Sequence, residues 1–123
     1  VVWEFTVPAA HLLSTIAGVG LYGDVVYVDG GDEQLHALRA RDGSVIWNAP
    51  FPAQTDADLL VTQRRIIFSN GPELIVLDRE TGHMIAMTTQ PRTYDGLFSS
   101  AATFSNGLVF ITVADAAFCF DEP

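Results

Sequence analysis

The residues best suited to metal binding lie together in one short segment. Asp29, Asp32 and Glu33 place three carboxylates within five positions, around Gly30 and Gly31. Carboxylate oxygens are ligands that Ca²⁺ prefers, but the segment lacks the alternating ligands and closing bidentate glutamate of a helix–loop–helix calcium site. Acidic residues and glycines are also ordinary turn formers. We therefore interpret the segment as a turn and predict no metal site.

The histidines are the second set of candidate ligands. His11, His36 and His83 are widely spaced, and none has a cysteine or carboxylate at the spacing typical of metal centres. His36 occupies an alternating position of an apolar run, and His83 follows a turn glycine. We expect solvated or packing histidines rather than metal ligands.

Pairs of carboxylates are the candidates for acid–base catalysis. Asp56 with Asp58, or Glu73 with Asp78, provide the two carboxyl groups that hydrolases use. A chain with 15 acidic residues contains such pairs by chance. The sequence has no nucleophile elbow, phosphate loop or dinucleotide fingerprint. We predict no catalytic residues.

Composition excludes several classes of protein. The 123 residues carry a formal net charge of −9, and the six basic residues are all arginine. This charge argues against nucleic acid as a partner, and the lack of lysine excludes a lysine Schiff base. Apolar residues make up 49 %, enough for a core, but no apolar run approaches the ~20 residues of a membrane span. The single Cys119 lies in an apolar run, where we expect a buried packing thiol.

Short apolar runs separated by turn residues predict an all-β chain. Three segments are versions of one another, each with a strand, a tight turn and an alternating second strand: residues 25–39, 66–78 and 108–121. A further turn and strand follow the first two, at residues 41–47 and 80–86. Each hairpin with its extra strands thus predicts a small antiparallel sheet.

The spacing of these segments predicts a β-propeller. Gly43 and Gly82 are 39 residues apart, and Leu77 and Phe120 are 43 apart. A period of about 40 residues with four strands per unit is typical of propeller blades. We predict one partial β-propeller domain, residues 1–123, with about three four-stranded antiparallel blades. The repeats are approximately 8–51, 52–89 and 90–123, and a strand at 1–7 completes a blade.

The first repeat resembles the tryptophan-docking motif of the PQQ-like (pyrroloquinoline-quinone-type) β-propeller repeat family. That motif reads Ala-x-Asp-x-x-Thr-Gly, then three residues and Trp, and it matches residues 37–47. Gly43 and Trp47 are kept, whereas Arg39 and Asp42 stand at the Asp and Thr positions. The resemblance therefore rests on the glycine and tryptophan here.

The other repeats keep different parts of the motif. The second has Asp78, Thr81 and Gly82 but Ala86 in place of tryptophan, and the third keeps Asp121. We expect Trp3 and Trp47 to be largely buried on equivalent outer strands, and Met84 or Met87 to fill the seam beside Ala86. Scaffolding roles are expected for the whole motif set: Trp3, Gly43, Trp47, Asp78, Thr81, Gly82 and Asp121.

The resemblance implies two kinds of function. Quinoprotein dehydrogenases of the family bind pyrroloquinoline quinone, with calcium, in a central channel and commonly clamp it with a disulfide between adjacent cysteines. Other members are non-enzymatic scaffolds without a cofactor. One cysteine cannot make the clamp, so the chain is closer to the scaffold members. The alternative is a fragment of a quinoprotein-type dehydrogenase. Either resemblance implies a periplasmic, cell-surface or secreted protein.

Protein partners are expected because three blades are too few for a ring of about four to eight. The missing blades come from a longer propeller or from self-association, such as two copies closing a six-bladed ring as a homo-oligomer. Strand 1–7 then completes the sheet of residues 108–121 in the same or the partner chain. The loops expected to contact a partner contain Asp29, Asp32, Glu33, Arg92, Tyr94 and Asp95.

Overall fold

The computed structural model describes residues 1–7, 18–51, 59–70, 73–89, 102–113 and 116–122. These residues form three antiparallel sheets and no helix. The first sheet has the order β1-β2-β3-β4, with strands Gly18–Tyr22, Val25–Asp29, Gln34–Arg39 and Val45–Pro50. The second has the order β5-β6-β7-β8, with strands Leu60–Val61, Arg65–Asn70, Glu73–Asp78 and Met84–Thr89. The third has the order β11-β10-β9, with strands Thr103–Ser105 (β9), Leu108–Val113 (β10) and Ala116–Asp121 (β11).

The central hairpins of the three sheets have the same register. Arg39, Asp78 and Asp121 each end the third strand of their sheet, and each pairs with the first residue of the strand before it. The sheets follow one another along the chain, as the period of about 40 residues predicts. The prediction of an all-β partial propeller is confirmed.

The outer strands β4 and β8 carry an irregularity at equivalent positions. In the first sheet the register between β3 and β4 shifts between Ala37 and Leu38. In the second sheet the register between β7 and β8 shifts at the equivalent place. Ile46 is therefore an extra residue before Trp47, and Ile85 an extra residue before Ala86. Such bulges increase the local twist of an exposed edge strand and discourage edge-to-edge pairing.

The core lies between the sheets, in two layers. Alternating side chains of β6 separate them, because Ile66 and Phe68 face the first sheet and Ile67 faces the third. Phe51 packs on Phe68 with ring centroids 4.4 Å apart. Both faces of the second sheet are thus covered, which explains why its sequence is apolar at consecutive positions. The first and second sheets come into close contact where β1 meets β5, since a β-carbon on Gly20 would lie 2.5 Å from Cγ2 of Val61.

Residues 1–7 lie on the face of the first sheet that is turned away from the second. Trp3 Nε1 donates a hydrogen bond of 2.8 Å to the carbonyl of Ala40, and the Phe5 ring lies 5.1 Å from that of His36. The segment forms no strand and does not pair with the third sheet of its own chain. Completion of that sheet by a second copy stays a prediction.

The structure corrects the expectation for Cys119, which is exposed. Side chains alternate along β11, so that Phe118 and Phe120 pack towards the second sheet while Cys119 points to the other side. No described residue covers that side, and the thiol is accessible.

The structure also differs at the tryptophan seam. Trp3 and Trp47 are both partly buried, but only Trp47 lies on a strand, so the two do not occupy equivalent outer strands. Met84 and Met87 are 49 % and 54 % exposed, so they do not fill the space beside Ala86. Both methionines lie on β8, the edge strand of the second sheet.

Candidate functional site

The tryptophans of the motif dock on glycines of the following repeat unit. A β-carbon on Gly82 would lie 2.7 Å from Cζ3 of Trp47, and one on Gly43 would lie 2.6 Å from Cε3 of Trp3. Both glycines have a positive φ, 75° and 71°, which a tight turn requires and which L-residues rarely adopt. Each seam thus depends on a tryptophan and a glycine from neighbouring units.

The turn after β7 is held by two motif side chains. Asp78 Oδ1 accepts hydrogen bonds from the amides of Glu80 (2.9 Å) and Thr81 (3.0 Å), and Thr81 Oγ1 accepts one from the amide of His83 (3.2 Å). Burial alone would raise the pKa of Asp78, but these hydrogen bonds and Arg65 hold it below its ordinary value of 3.8. The carboxylate of Asp78 thus caps the turn.

The equivalent turn after β3 is held differently. Asp42 Oδ1 accepts from the amide (2.9 Å) of Ser44, as Thr81 Oγ1 does from the amide of His83, and also from the Ser44 hydroxyl (2.6 Å). These hydrogen bonds lower the pKa of Asp42. Arg39, at the motif's Asp position, donates to Ser44 Oγ at 3.1 Å. The turn keeps its shape although its first carboxylate is replaced by a guanidinium.

Asp121 and its neighbour connect the third sheet to the second. Asp121 ends β11 opposite Leu108 and is exposed. The next residue, Glu122, donates its amide to the carbonyl of Gly107 at 2.9 Å and accepts a short hydrogen bond from Thr62 Oγ1. The carboxylate of Glu122 therefore joins two blades.

The acidic turn between β2 and β3 is largely buried. Asp29 is 1 % exposed, and its Oδ1 accepts from the amide of Gly31 at 3.0 Å. Its Oδ2 has no hydrogen-bond partner among the described residues, and burial raises the pKa of the carboxyl. Glu33 is exposed with φ at 62°, so of the three acids it is the one that faces solvent fully.

His36 joins this turn to the outer strand, a contact that the sequence reasoning missed. Its Nδ1 lies 2.7 Å from Asn48 Oδ1 and its Nε2 3.0 Å from Asp32 Oδ2. The ring is 2 % exposed beneath Phe5. The available signal was the spacing of Asp32 and His36 across a tight turn, which places both on one face of the hairpin. His36 is a packed, hydrogen-bonded residue.

A metal ion and a disulfide clamp each need particular side chains among the described residues. Among them, no group of three or more His, Cys, Asp or Glu side chains lies close enough to hold a metal ion. The one thiol, Cys119, is exposed on an end sheet and has no second cysteine to pair with. The remaining interaction residues of the sequence analysis, Arg92, Tyr94 and Asp95, lie outside the described residues, as do His11, Asp56 and Asp58.

Exposed apolar side chains lie on the two end sheets. Val19 and Leu21 of β1 are 54 % and 63 % exposed, and Phe110 of β10 is 40 % exposed beside Cys119, its cross-strand partner. The equivalent faces between sheets are covered by the neighbouring sheet. Nothing in the described part of the chain belongs to a helix that could cross a membrane.

Comparison with solved structures places this arrangement among propellers. BamB from Moraxella catarrhalis matches 98 % of the chain with a TM-score of 0.64 and 15 % identity. The quinohemoprotein alcohol dehydrogenase ADHIIG from Pseudomonas putida HK5 also matches 98 %, with a TM-score of 0.72 and 17 % identity. The computationally designed Ika8 protein matches 89 %, with a TM-score of 0.66 and 15 % identity. At these identities the likeness concerns the fold.

The chain is much shorter than these structures. It spans 49 % of the BamB chain, 20 % of the dehydrogenase and 34 % of the designed protein. No curated protein matches the sequence. The sequence profile described as "Outer membrane protein assembly factor BamB" matches residues 1–89, which include both tryptophan–glycine seams. The chain therefore belongs to the PQQ-like β-propeller repeat family that this BamB profile represents.

Proposed function

We propose that the chain is a non-catalytic PQQ-like propeller module that acts as a protein-interaction or structural scaffold. The observation that carries this proposal is the contrast between sheet faces. The inner strands of the second sheet, β6 and β7, are buried on both sides, whereas Leu21 and Phe110 stand exposed on the outer sides of the first and third sheets. Exposed apolar patches of this kind mark surfaces that another protein element covers.

The partner is a further set of blades, from a longer chain or from a second copy. β11 forms one edge of the third sheet. In the first two sheets the equivalent edge is covered by a fourth strand, β4 or β8. Residues 1–7 lie on the first sheet where the outer strand of a preceding blade would lie. In a two-copy ring, these residues from one copy reach the β11 edge of the other and complete its sheet.

The family supports a location outside the cytoplasm. Its profile is described as an outer membrane protein assembly factor. We propose a periplasmic, cell-surface or secreted module whose role is to bind other proteins. The motif side chains in this proposal have structural roles: they stabilise the turns and the contacts between blades.

Light scattering across a dilution series tests self-association. We expect a mass near twice 13.3 kDa at micromolar concentration and slower maleimide labelling of Cys119 as concentration rises. Phe110→Asp weakens association, whereas the control Val45→Asp, on an equally exposed outer strand, does not. A stable, folded monomer with freely reactive Cys119 would contradict self-association and favour blades from a longer chain.

A further inference from the structure

The first sheet has a basic residue, Arg39, at the position where the other two sheets have an aspartate. In the second sheet the equivalent Asp78 lies opposite Arg65, with 3.6 Å between guanidinium and carboxylate. In the first sheet Arg39 lies opposite Val25, which has no charge. The cross-strand neutralisation seen in the second sheet is therefore missing, and a guanidinium stands beside an apolar side chain.

A groove of about 400 Å³ lies at this place. It is lined by two arginines, two aliphatic side chains and one acid: Arg39, Arg41, Val25, Ile46 and Asp24. The bulge in β4 exposes Ile46 to 40 %, and the Arg41 side chain is 80 % exposed. The groove thus combines two guanidinium groups with aliphatic side chains and one acidic residue.

The two arginines share the groove with one acidic residue, Asp24, and their other charged contact lies outside it. Asp42 does not line the groove; its Oδ2 lies 3.5 Å from Arg41 Nε, and Ser44 connects it to Arg39. An exposed ion pair of this kind is weak and leaves N–H donors of the planar guanidinium free. Both guanidiniums line the same groove, and a guanidinium is suited to bidentate binding of a carboxylate.

We propose that this groove binds an extended acidic segment of a partner protein. A carboxylate of the segment binds Arg39 and Arg41, and a neighbouring leucine-like side chain packs on Val25 and Ile46. The proposal rests on the proposed role as a protein-interaction module and specifies what kind of segment the partner presents: an acidic one with an apolar side chain. The chain's net charge of −9 repels a polyanion such as nucleic acid, so a short acidic stretch with an apolar anchor fits better.

Fluorescence anisotropy with the full chain tests the proposal. The probes are a short fluorescein-labelled peptide with aspartate and glutamate around two leucines, the same peptide with glycines for the leucines, and one with lysines for the acids. We expect only the first to bind well, with affinity falling as salt rises.

Matched variants locate the site. Arg39→Asp restores the motif's usual residue, so the fold is kept, and we expect at least about tenfold weaker binding. Arg41→Gln acts in the same direction and leaves the Asp42–Ser44 hydrogen bonds of the turn in place. Asp24→Asn tightens binding about twofold because it removes a repelling carboxylate. Arg64→Asp, in the turn before β6, makes the same change in net charge and leaves binding unchanged.

Three results would overturn the proposal. They are equal weakening by Arg39→Asp and Arg64→Asp, equal binding of the leucine and glycine peptides, and no binding of the acidic leucine peptide at about millimolar concentration. The exposed apolar residues assigned to self-association, Leu21 and Phe110, do not line the groove, so light scattering reports on the proposed scaffold role separately. If the chain self-associates but does not bind the peptide, the groove proposal is wrong and the scaffold proposal stands.

Discussion

The ring of Trp47 in the first sheet lies over Gly82 in the second, so close that a β-carbon on Gly82 would come within 2.7 Å of Cζ3. The same relationship joins Trp3 to Gly43 one unit earlier. The two glycines are 39 residues apart and the two tryptophans 44 apart, so the contact repeats with the blades. A large half-buried ring and a residue without a side chain specify how neighbouring units fit together.

Replacing Gly82 tests this seam. Gly107 is a suitable control, because its φ of 78° is similar but no atom lies within 4 Å of an added β-carbon. We expect Gly107→Ala to cost about 1–2 kcal/mol from the left-handed backbone alone. Gly82→Ala should cost about 1–3 kcal/mol more, because the methyl group meets Trp47 and Ala49. Equal losses in urea unfolding would show that the seam does not contribute.

Removing the ring is the complementary change. Trp47→Ala should lower the free energy of unfolding by about 3 kcal/mol, the lower end of the range for a core tryptophan, because the ring is half-buried. Ile46→Ala, at the neighbouring bulge, is 40 % exposed and should change stability by less than about 0.5 kcal/mol. A loss below about 1 kcal/mol for Trp47→Ala would mean that the ring does not hold the seam.

Asp78 should make stability depend on pH in the acid range. The pKa of Asp78 in the folded chain lies below 3.8, so its contribution is present above 3.8 and is lost as the pH falls through the folded value. Asp78→Asn should cost about 1 kcal/mol at neutral pH and little in strong acid. Glu80→Gln, an exposed acid of the same turn, is the control and should show no such difference. An Asn variant that is equally destabilised at both pH values would contradict the charge argument.

Asp29 should act in the opposite direction. Because burial raises its pKa above 3.8, the folded chain holds this proton longer than the unfolded chain, and Asp29 lowers stability as the pH rises above 3.8. Asp29→Asn should therefore raise the melting temperature at neutral pH, with the gain disappearing towards 3.8. Asp24→Asn, exposed in the preceding turn, should leave the melting temperature unchanged. A destabilised Asp29→Asn at neutral pH would show that Oδ2 has a partner that an amide cannot replace.

Reconstitution tests the dehydrogenase alternative directly. Because the described residues offer no metal cluster and Cys119 has no second cysteine, pyrroloquinoline quinone with calcium should produce no bound quinone spectrum and no alcohol oxidation. The measurement is absorbance after removal of free quinone, with a quinoprotein dehydrogenase as positive control. A retained quinone spectrum would remove the scaffold proposal.

Much of the architecture could be predicted from local patterns. A hairpin is specified by alternation on two adjacent strands and by the glycine or acid in the turn between them, all within about 15 residues. The pairing of residues 25, 65 and 108 with 39, 78 and 121 follows from such patterns. The family motif added the expectation that Trp47 covers a seam, although not which glycine lies beneath it.

What only the tertiary structure decided is which faces are covered. The alternation along β11 separates Cys119 from Phe118 and Phe120, but which of the two sides is buried depends on where the second sheet lies. In the same way, Phe5 covers His36 because residues 1–7 lie on the first sheet. Strand patterns come from neighbouring residues, whereas burial comes from contacts between distant parts of the chain, and a one-dimensional pattern does not contain those contacts.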